Sequence, residues 1–470
     1  MATIRIDPVT RIEGHARVIL EMKDDGTVEY ARLIVNELRG FERMLVGMEA
    51  DRMPLVTARI CGVCPVTHTL AAIQALEDAF RVAPPPAGKI LRELLCMGQL
   101  VHSHALHLFA LGGPDLFFGI SGDPARRSIV GMVEAAPELA KKALRLRTLG
   151  QKVVEAVGGR GVHPVTVVIG GISFDLAADA LASLRKQADE MLALARELVP
   201  LARDLLLRLV EREPNLLKLE VRAHDLGMVR GGKVSHLDGA LRLVSPDGKV
   251  AEEFPAREYA DRLVERSYAW SYMKPVFFKL GGKDALYRVG ALARVNAADG
   301  METPLAQAEL EAFRKAHPAP CHLTIMHHWA RIIELLWACE KAKLLLGDPA
   351  LSGPARVPVQ ITAGRGVGCV EAPRGTLIHE YEVDAKGIVR AANLLVATQQ
   401  NYAAINQSIE QAAQSYVAGK GDQAVLNALE FAIRCHDPCL SCATHALGQM
   451  PLEVEVRREG TLVRRFGREA

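Results

Sequence analysis

The chain has 470 residues, of which 49 % are hydrophobic and 24 % charged, with a formal net charge of +2. That is enough chain to bury a large core, and so balanced a charge, without a strong basic or acidic tract, excludes nucleic acid or an anionic membrane surface as a main partner. No uninterrupted apolar run approaches the ~20 residues that span a bilayer, and the segment Met1–Pro8 has none of the marks of a secretory leader. A cytoplasmic chain without direct membrane insertion is the expectation.

In chain order, apolar and polar residues alternate over Ala16–Met22 and Val28–Val35 with Asp24-Asp25-Gly26 between them, which predicts a β-hairpin. Pro84-Pro85-Pro86 marks a break, after which helical spacing over 89–111 predicts a long helix. A second long helix is predicted over 176–211. Helical patterns also cover 129–156, 304–316, 325–346, 391–418 and 423–434, whereas 163–170, 218–250 and 376–390 read as short strands and turns. The product is an α-rich α/β chain without internal repeat or low-complexity linker.

Nine cysteines stand at 61, 64, 96, 321, 339, 369, 435, 439 and 442. Disulfides are disfavoured in a reducing compartment, so paired cysteines there read first as metal or redox sites. Cys61-Gly-Val-Cys64 and Cys439-Leu-Ser-Cys442 each place two thiols three residues apart, and the two pairs are separated by 378 positions. Thiolates are soft ligands for nickel, iron, zinc or copper(I), and each pair can chelate one metal. Pro65 and Pro438 end regular structure beside them. A structural four-cysteine zinc site has the same local spacing, but its halves usually lie ~15–20 residues apart. A thioredoxin-like pair would explain one motif and not two. The other five cysteines read as core thiols. If the two pairs meet in space, the chain closes on itself as one interlocked unit.

Five blocks occur in order: Asp7-Pro-Val-Thr-Arg-Ile-Glu-Gly-His15, Arg39-Gly-Phe-Glu42, Gly158-Gly-Arg-Gly-Val-His163-Pro164, Glu371-Ala-Pro-Arg374-Gly-Thr-Leu-Ile-His379 and Asp437-Pro-Cys-Leu-Ser-Cys-Ala-Thr-His445. On these blocks the chain resembles the large subunits of nickel-iron hydrogenases. The resemblance implies a large helical bundle core with small peripheral β-sheets. It also implies a nickel-iron centre in which Cys61 and Cys439 are terminal nickel ligands, while Cys64 and Cys442 bridge to an iron carrying carbon monoxide and cyanide. Glu13 corresponds to the family's proton-transfer glutamate, expected buried beside the thiolates. Arg374 corresponds to a guanidinium over the open metal position, with Asp437 and Asp115 as the carboxylates that hold it. Glu42 and His445 resemble the ligands of a nearby magnesium ion. His68 follows Cys64 by four residues, so on a helix starting at Cys64 its imidazole returns over that thiolate and can donate to it. His163 is expected beside the electron path to the small subunit, or in a structural role.

This chain has neither an iron-sulfur cysteine cluster nor a Gly-x-Gly-x-x-Gly fingerprint, so its electrons must leave through partners. The resemblance supplies them: an iron-sulfur small subunit, and diaphorase subunits binding flavin and NAD. Trp270-Ser-Tyr-Met-Lys, Glu302-Thr-Pro-Leu-Ala-Gln and Gly448-Gln-Met-Pro-Leu resemble the cytoplasmic bidirectional type. A related soluble group coupled to deazaflavin or a heterodisulfide reductase module is the alternative. Residues 446–470 resemble the extension that a maturation protease removes after the final histidine once nickel-insertion factors have acted, leaving 1–445 as the catalytic unit. The tail itself is strand-like over 451–456.

Overall fold

The computed structural model describes residues 2–417, 422–445, 453–458 and 461–467. Three strands, β1 (Ala2–Ile6), β2 (Arg17–Met22) and β3 (Val28–Ile34), form an antiparallel meander in which the expected hairpin pairs Arg17 with Ile34. Helix α1 (Pro65–Phe80) follows the first cysteine pair directly, with proline at its first position, where a missing N–H costs nothing. Helix α2 (Pro86–Leu106) starts the same way and runs into one turn of π-helix, His107–Leu111. Then come α3 (Ile129–Ala135), α4 (Pro137–Gly158) and the 35-residue α5 (Ala178–Arg212).

Helix α6 (His327–Leu346) is the axis of the molecule: it packs on α2 and α5, α2 packs on α4, and all but two of its 20 residues are buried. Pro86–Leu111 is long and apolar enough to cross a membrane, but 78 % of its apolar window is covered by these neighbours, as befits a core helix. Among the charges that α6 carries inward, Glu334 is paired: it binds Arg294 at 2.5 Å and His104 at 3.0 Å, so this buried carboxylate keeps its hydrogen bonds.

Strands β4 (Gly364–Ala372), β5 (Gly375–Val383) and β6 (Val389–Leu395) form an antiparallel sheet against which α1 lies. The approach is backbone to backbone. A Cβ at Gly366 would sit 2.1 Å from the Ala75 carbonyl oxygen, and one at Gly368 would sit 2.1 Å from that of Ala71. Glycine opposite alanine therefore seats the helix whose N-terminus carries Cys64.

The helix expected over 391–418 is corrected at its start. Val389–Leu395 is a strand paired with β5, and helix resumes only at Ala397–Gln400 and then in α7 (Tyr402–Val417). Ladder bonds to β5 outweigh the helical propensity of Ala391 and Ala392. The pattern over 129–156 is broken at Pro137, which cannot continue a helix from α3. Over 163–170 only Val167–Val168 is strand. Helix α8 (Asp422–His436) contains the expected 423–434. In the tail, Glu453–Arg458 pairs antiparallel with Thr461–Gly467, while 446–452, with the Gly448-Gln-Met-Pro-Leu motif, lies outside the described residues. One buried apolar cluster runs from Val9 to Ala443.

Candidate metal centre

Both ends of the chain contribute a short loop to one point. Cys61 is extended in the first loop and Cys64 caps α1. On the other side, α8 stops at His436, and Asp437 takes a left-handed conformation (φ 51°) that turns the chain into Pro438 and Cys439. The N-terminal loop clamps this turn. The Leu440 N–H donates to the Glu13 carbonyl at 3.1 Å, and Gly14 (φ +84°) lies so close that a Cβ there would stand 2.8 Å from the Leu440 Cβ. Backbone N–H groups of Arg39 and Gly40 donate to the Thr444 carbonyl at 2.9 and 3.3 Å, so the segment that follows the second cysteine pair is stitched to the Arg-Gly-Phe-Glu block.

The four sulfurs of Cys61, Cys64, Cys439 and Cys442 all lie within 4.8 Å of one another, and all four residues are buried. Sγ separations are 3.3 Å for Cys61 and Cys439, 3.3 Å for Cys64 and Cys442, and 2.8 Å for Cys439 and Cys442. Hydrogen bonds from the Cys439, Cys442 and Cys64 thiols draw Cys61 well below its usual pKa, while burial drives Cys439 and Cys442 well above theirs. Four buried thiols without a cation therefore cannot all ionise, and a soft divalent metal is what lets them do so. A cavity of about 10 Å³, room for one water-sized molecule, borders Cys64, Cys439 and Cys442 and is lined also by His68, Pro373, Arg374 and Thr398. Soft donors, room beside them and an unpartnered guanidinium nitrogen at the same cavity fit a thiolate-bound metal centre. The five remaining cysteines are buried singly, as expected.

Arg374 is buried, with Nε donating to the Asp437 carbonyl at 2.8 Å and Nη2 to Asp437 Oδ1 at 3.1 Å; its Nη1 has no partner. Burial works against the guanidinium's charge, but Asp437 and then the thiols of Cys439, Cys64 and Cys61 hold its pKa well above normal. Asp437 is in turn held low, since Arg374 and His107 outweigh its burial. The expectation that Asp115 shares in holding Arg374 is corrected. Fully buried, Asp115 binds Arg11 Nη2 at 2.6 Å and Arg434 Nε at 2.8 Å, with Arg127 Nε at 3.5 Å. From its helix, Gly113–Phe118, the Asp115 side chain reaches Arg434 of α8 and Arg11 of the N-terminal loop, and the three guanidiniums take up both carboxylate oxygens.

Glu13 is half-buried, not buried: its Oε2 accepts from Cys439 Sγ at 3.0 Å and from the Ser441 N–H at 3.2 Å, and the residue as a whole is partly exposed. His68 is also re-aimed. Its Nε2 lies 3.4 Å from the sulfur of Cys442, on the opposite loop, and not on that of Cys64, because the helix carries the ring past its own N-cap. His68 Nδ1 meets His379 Nε2 at 3.1 Å, and His379 Nδ1 meets Tyr381 Oη at 2.8 Å. Burial holds His68 down at about 4, so its ring is neutral at pH 7. With Tyr381 and His379 each donating to the next ring, the one remaining His68 N–H points at Cys442. His379 closes the fourth sequence block but carries no assigned role there, and Tyr381 and His107 are not singled out in the sequence at all. The period of two along β5, which sets 379 and 381 on one face, is the signal that could have found the first two.

Glu42 and His445 stand 3.7 Å apart, Oε1 to Nε2. The Nδ1 of His445 is engaged with the Cys442 carbonyl at 2.8 Å, which leaves Nε2 as a buried lone pair without a partner. Burial raises the pKa of Glu42 against the pull of His445. An orphaned nitrogen beside a carboxylate is a pair of donors that a small divalent cation would satisfy. His163, in a left-handed turn after α4, makes no contact with the thiols among the described residues.

This closing of two distant Cys-x-x-Cys loops, under an arginine and within an α-rich fold with small sheets, defines a thiolate-ligated metalloenzyme. The chain belongs to the nickel-dependent hydrogenase family, which matches residues 39–120 and 245–445, and is a catalytic large subunit of the nickel-iron type. A second family, described as HoxL-like, matches residues 3–38. The chain is 42 % identical to a subunit of the F420-non-reducing hydrogenase vhu of Methanocaldococcus jannaschii, over 88 % of this chain and 99 % of that protein. It is 39 % identical to the beta subunit of the NAD-reducing hydrogenase HoxS of Cupriavidus necator, over 96 % of each. A crystal structure of an NAD+-reducing [NiFe]-hydrogenase in the H2-reduced state superposes with a TM-score of 0.90 at 37 % identity, covering 95 % of this chain and 100 % of that one. The zinc-structural alternative is left without support.

Proposed function

We propose that this chain carries the dihydrogen-cleaving site of a cytoplasmic enzyme, passing electrons through an iron-sulfur small subunit to diaphorase partners that reduce NAD(P). The observation that carries the reading is the set of four sulfurs within 4.8 Å with Glu13 on one of them. Cys61, Cys64, Cys439 and Cys442 would hold nickel and, with it, an iron bearing carbon monoxide and cyanide. When bound, such a centre supplies a redox-active metal with an open position where dihydrogen is polarised.

The chain's own groups do the rest. Glu13, 3.0 Å from Cys439 Sγ and half-exposed, takes a proton from that sulfur and passes it outward. Arg374, held by Asp437, sets a permanent positive charge against the cavity, where it stabilises developing negative charge. Neutral His68 donates to Cys442 and tempers its basicity. Asp115 positions, through Arg11 and Arg434, the two loops that carry Glu13 and Asp437. Glu42 and His445 would hold magnesium. The active form ends at His445, residues 446–470 having been removed by a maturation protease after nickel insertion; mass spectrometry of nickel-loaded enzyme is expected to show that terminus. An active full-length chain would contradict it.

The resemblance of this chain's motifs to the bidirectional type, the likeness to HoxS beta and the 0.90 superposition support NAD(P) as acceptor. The second reading, electron delivery to a heterodisulfide-reductase-type module, is favoured by the 42 % identity to an F420-non-reducing relative, whose name speaks against a deazaflavin acceptor. The decisive experiment purifies the complex and measures metals, infrared spectrum and H2-dependent reduction of NAD+ together. About one nickel and one iron, carbon monoxide and cyanide bands, and NAD+ reduction are the expected result. Zinc alone would end the hydrogenase reading, and a nickel-iron enzyme inert toward NAD+ and NADP+ would end the acceptor assignment only.

A further inference from the structure

A cavity of about 440 Å³ opens between the end of α2 and the pair α3 and α4. Its walls are Leu106 and Phe109 on one side and Ile129, Met132, Leu139 and Leu144 on the other, and only Lys141 and Arg147 among its lining residues are polar. Sites for small organic ligands have this make-up, an apolar chamber of ~300–1,000 Å³ with a few polar groups that fix orientation. The mouth is open to solvent, for Ile129, Val133 and Leu144 are 48, 49 and 61 % exposed. Pro137, Ala140, Leu144 and Arg147 line it at helical spacing, so it extends ~15 Å along α4 with Arg147 at one end.

The Arg147 end lacks an anion. Arg147 makes no ion pair or side-chain hydrogen bond among the described residues, and its Nε is buried without a partner. Its neighbours on α4 differ: Lys142 binds Glu197 at 2.5 Å and Arg145 binds Glu190 at 2.6 Å. One turn before Ala105, His102 also has a buried Nδ1 without a partner, and burial followed by the nearby Arg147 charge holds its pKa down at about 4. A buried donor left unpaired is costly, and a guanidinium is best satisfied by a carboxylate. A neutral apolar guest would fill the chamber and leave that donor as it is.

We propose that this cavity is a binding site for an amphipathic monocarboxylate, its apolar chain lying along α4 and its carboxylate on Arg147. The test is calorimetric titration of the purified, assembled hydrogenase with decanoate below its micellar concentration, with decanol as the uncharged control. Expected are saturable binding of one decanoate per chain and affinity weaker by about tenfold or more both for decanol and for the Arg147→Gln protein, the loss of one charge-assisted pair. Hydrogen oxidation by Arg147→Gln should be unchanged, which shows that it folds. Ala143→Phe, which fills the chamber from α4, should abolish binding of both probes. Absence of saturable binding, decanol binding as tightly as decanoate, or undiminished binding by Arg147→Gln would each overturn the proposal, the last two leaving an apolar cavity only.

Discussion

Glu13 touches a sulfur and the surface at once, and that double contact is what a proton acceptor beside a metal thiolate needs. In Glu13→Gln the amide oxygen can still accept from Cys439 and the Ser441 N–H, but it cannot carry a proton away. Hydrogen oxidation is expected to fall by ~10²-fold or more, with nickel, iron and the infrared bands unchanged. Activity within about twofold of the parent would sink the assignment, since general-base contributions are far larger. The four cysteines were legible because chelation imposes a spacing. The partners of His68 and Asp115 were not. Cys442 is 374 positions from His68, and Arg434 is 319 from Asp115, and no local pattern fixes which distant atom a side chain meets.

At the scale of elements, the centre depends on two devices remote from the metals. The first is glycine against helix backbone. Gly366→Ala would put a methyl group 2.1 Å from the Ala75 carbonyl oxygen and 2.3 Å from the Ala79 nitrogen, so α1 must shift. The expected cost is ~1–3 kcal/mol or more, read as a lower unfolding midpoint together with reduced nickel incorporation, because α1 begins at Cys64. The second is the Asp115 clip. Asp115→Asn leaves Arg11, Arg127 and Arg434 without their shared carboxylate, and breaking a buried pair in this way costs ~3–5 kcal/mol. Lower thermal stability and poor metal retention are expected, and a variant as stable as the parent would show that the clip is dispensable. The glycine spacing of β4 was visible in the sequence, yet it signals close approach only once the partner helix is known. Likewise 391–395 reads as helix in isolation and becomes strand because β5 offers it ladder hydrogen bonds.

For the molecule as a whole, the many buried histidines set a direction for pH dependence. Burial holds His107 at about 4 and His436 at about 3, against ~6.5 in an unfolded chain. Between those limits the unfolded state binds protons that the folded state refuses, so stability falls as pH drops through that window and is flat above it. Each such group contributes on the order of 3 kcal/mol when fully buried. The unfolding midpoint at a fixed heating rate is expected to be level above pH 7 and to decline steadily toward pH 4; a midpoint that rose on acidification would contradict the burial of these rings. The sequence by itself determined the ligand type, the two-residue gap within each cysteine pair, the helical character of the core and the family, because thiolate chelation and helical burial write short, regular patterns into a chain. Only the tertiary structure decided that Glu13 stays half-exposed, that His68 serves Cys442 and that Asp115 clips three arginines instead of holding Arg374. Those outcomes rest on contacts between segments hundreds of residues apart, where the packing of α1, α8 and the N-terminal loop, and not any local spacing, determines which groups are left to pair.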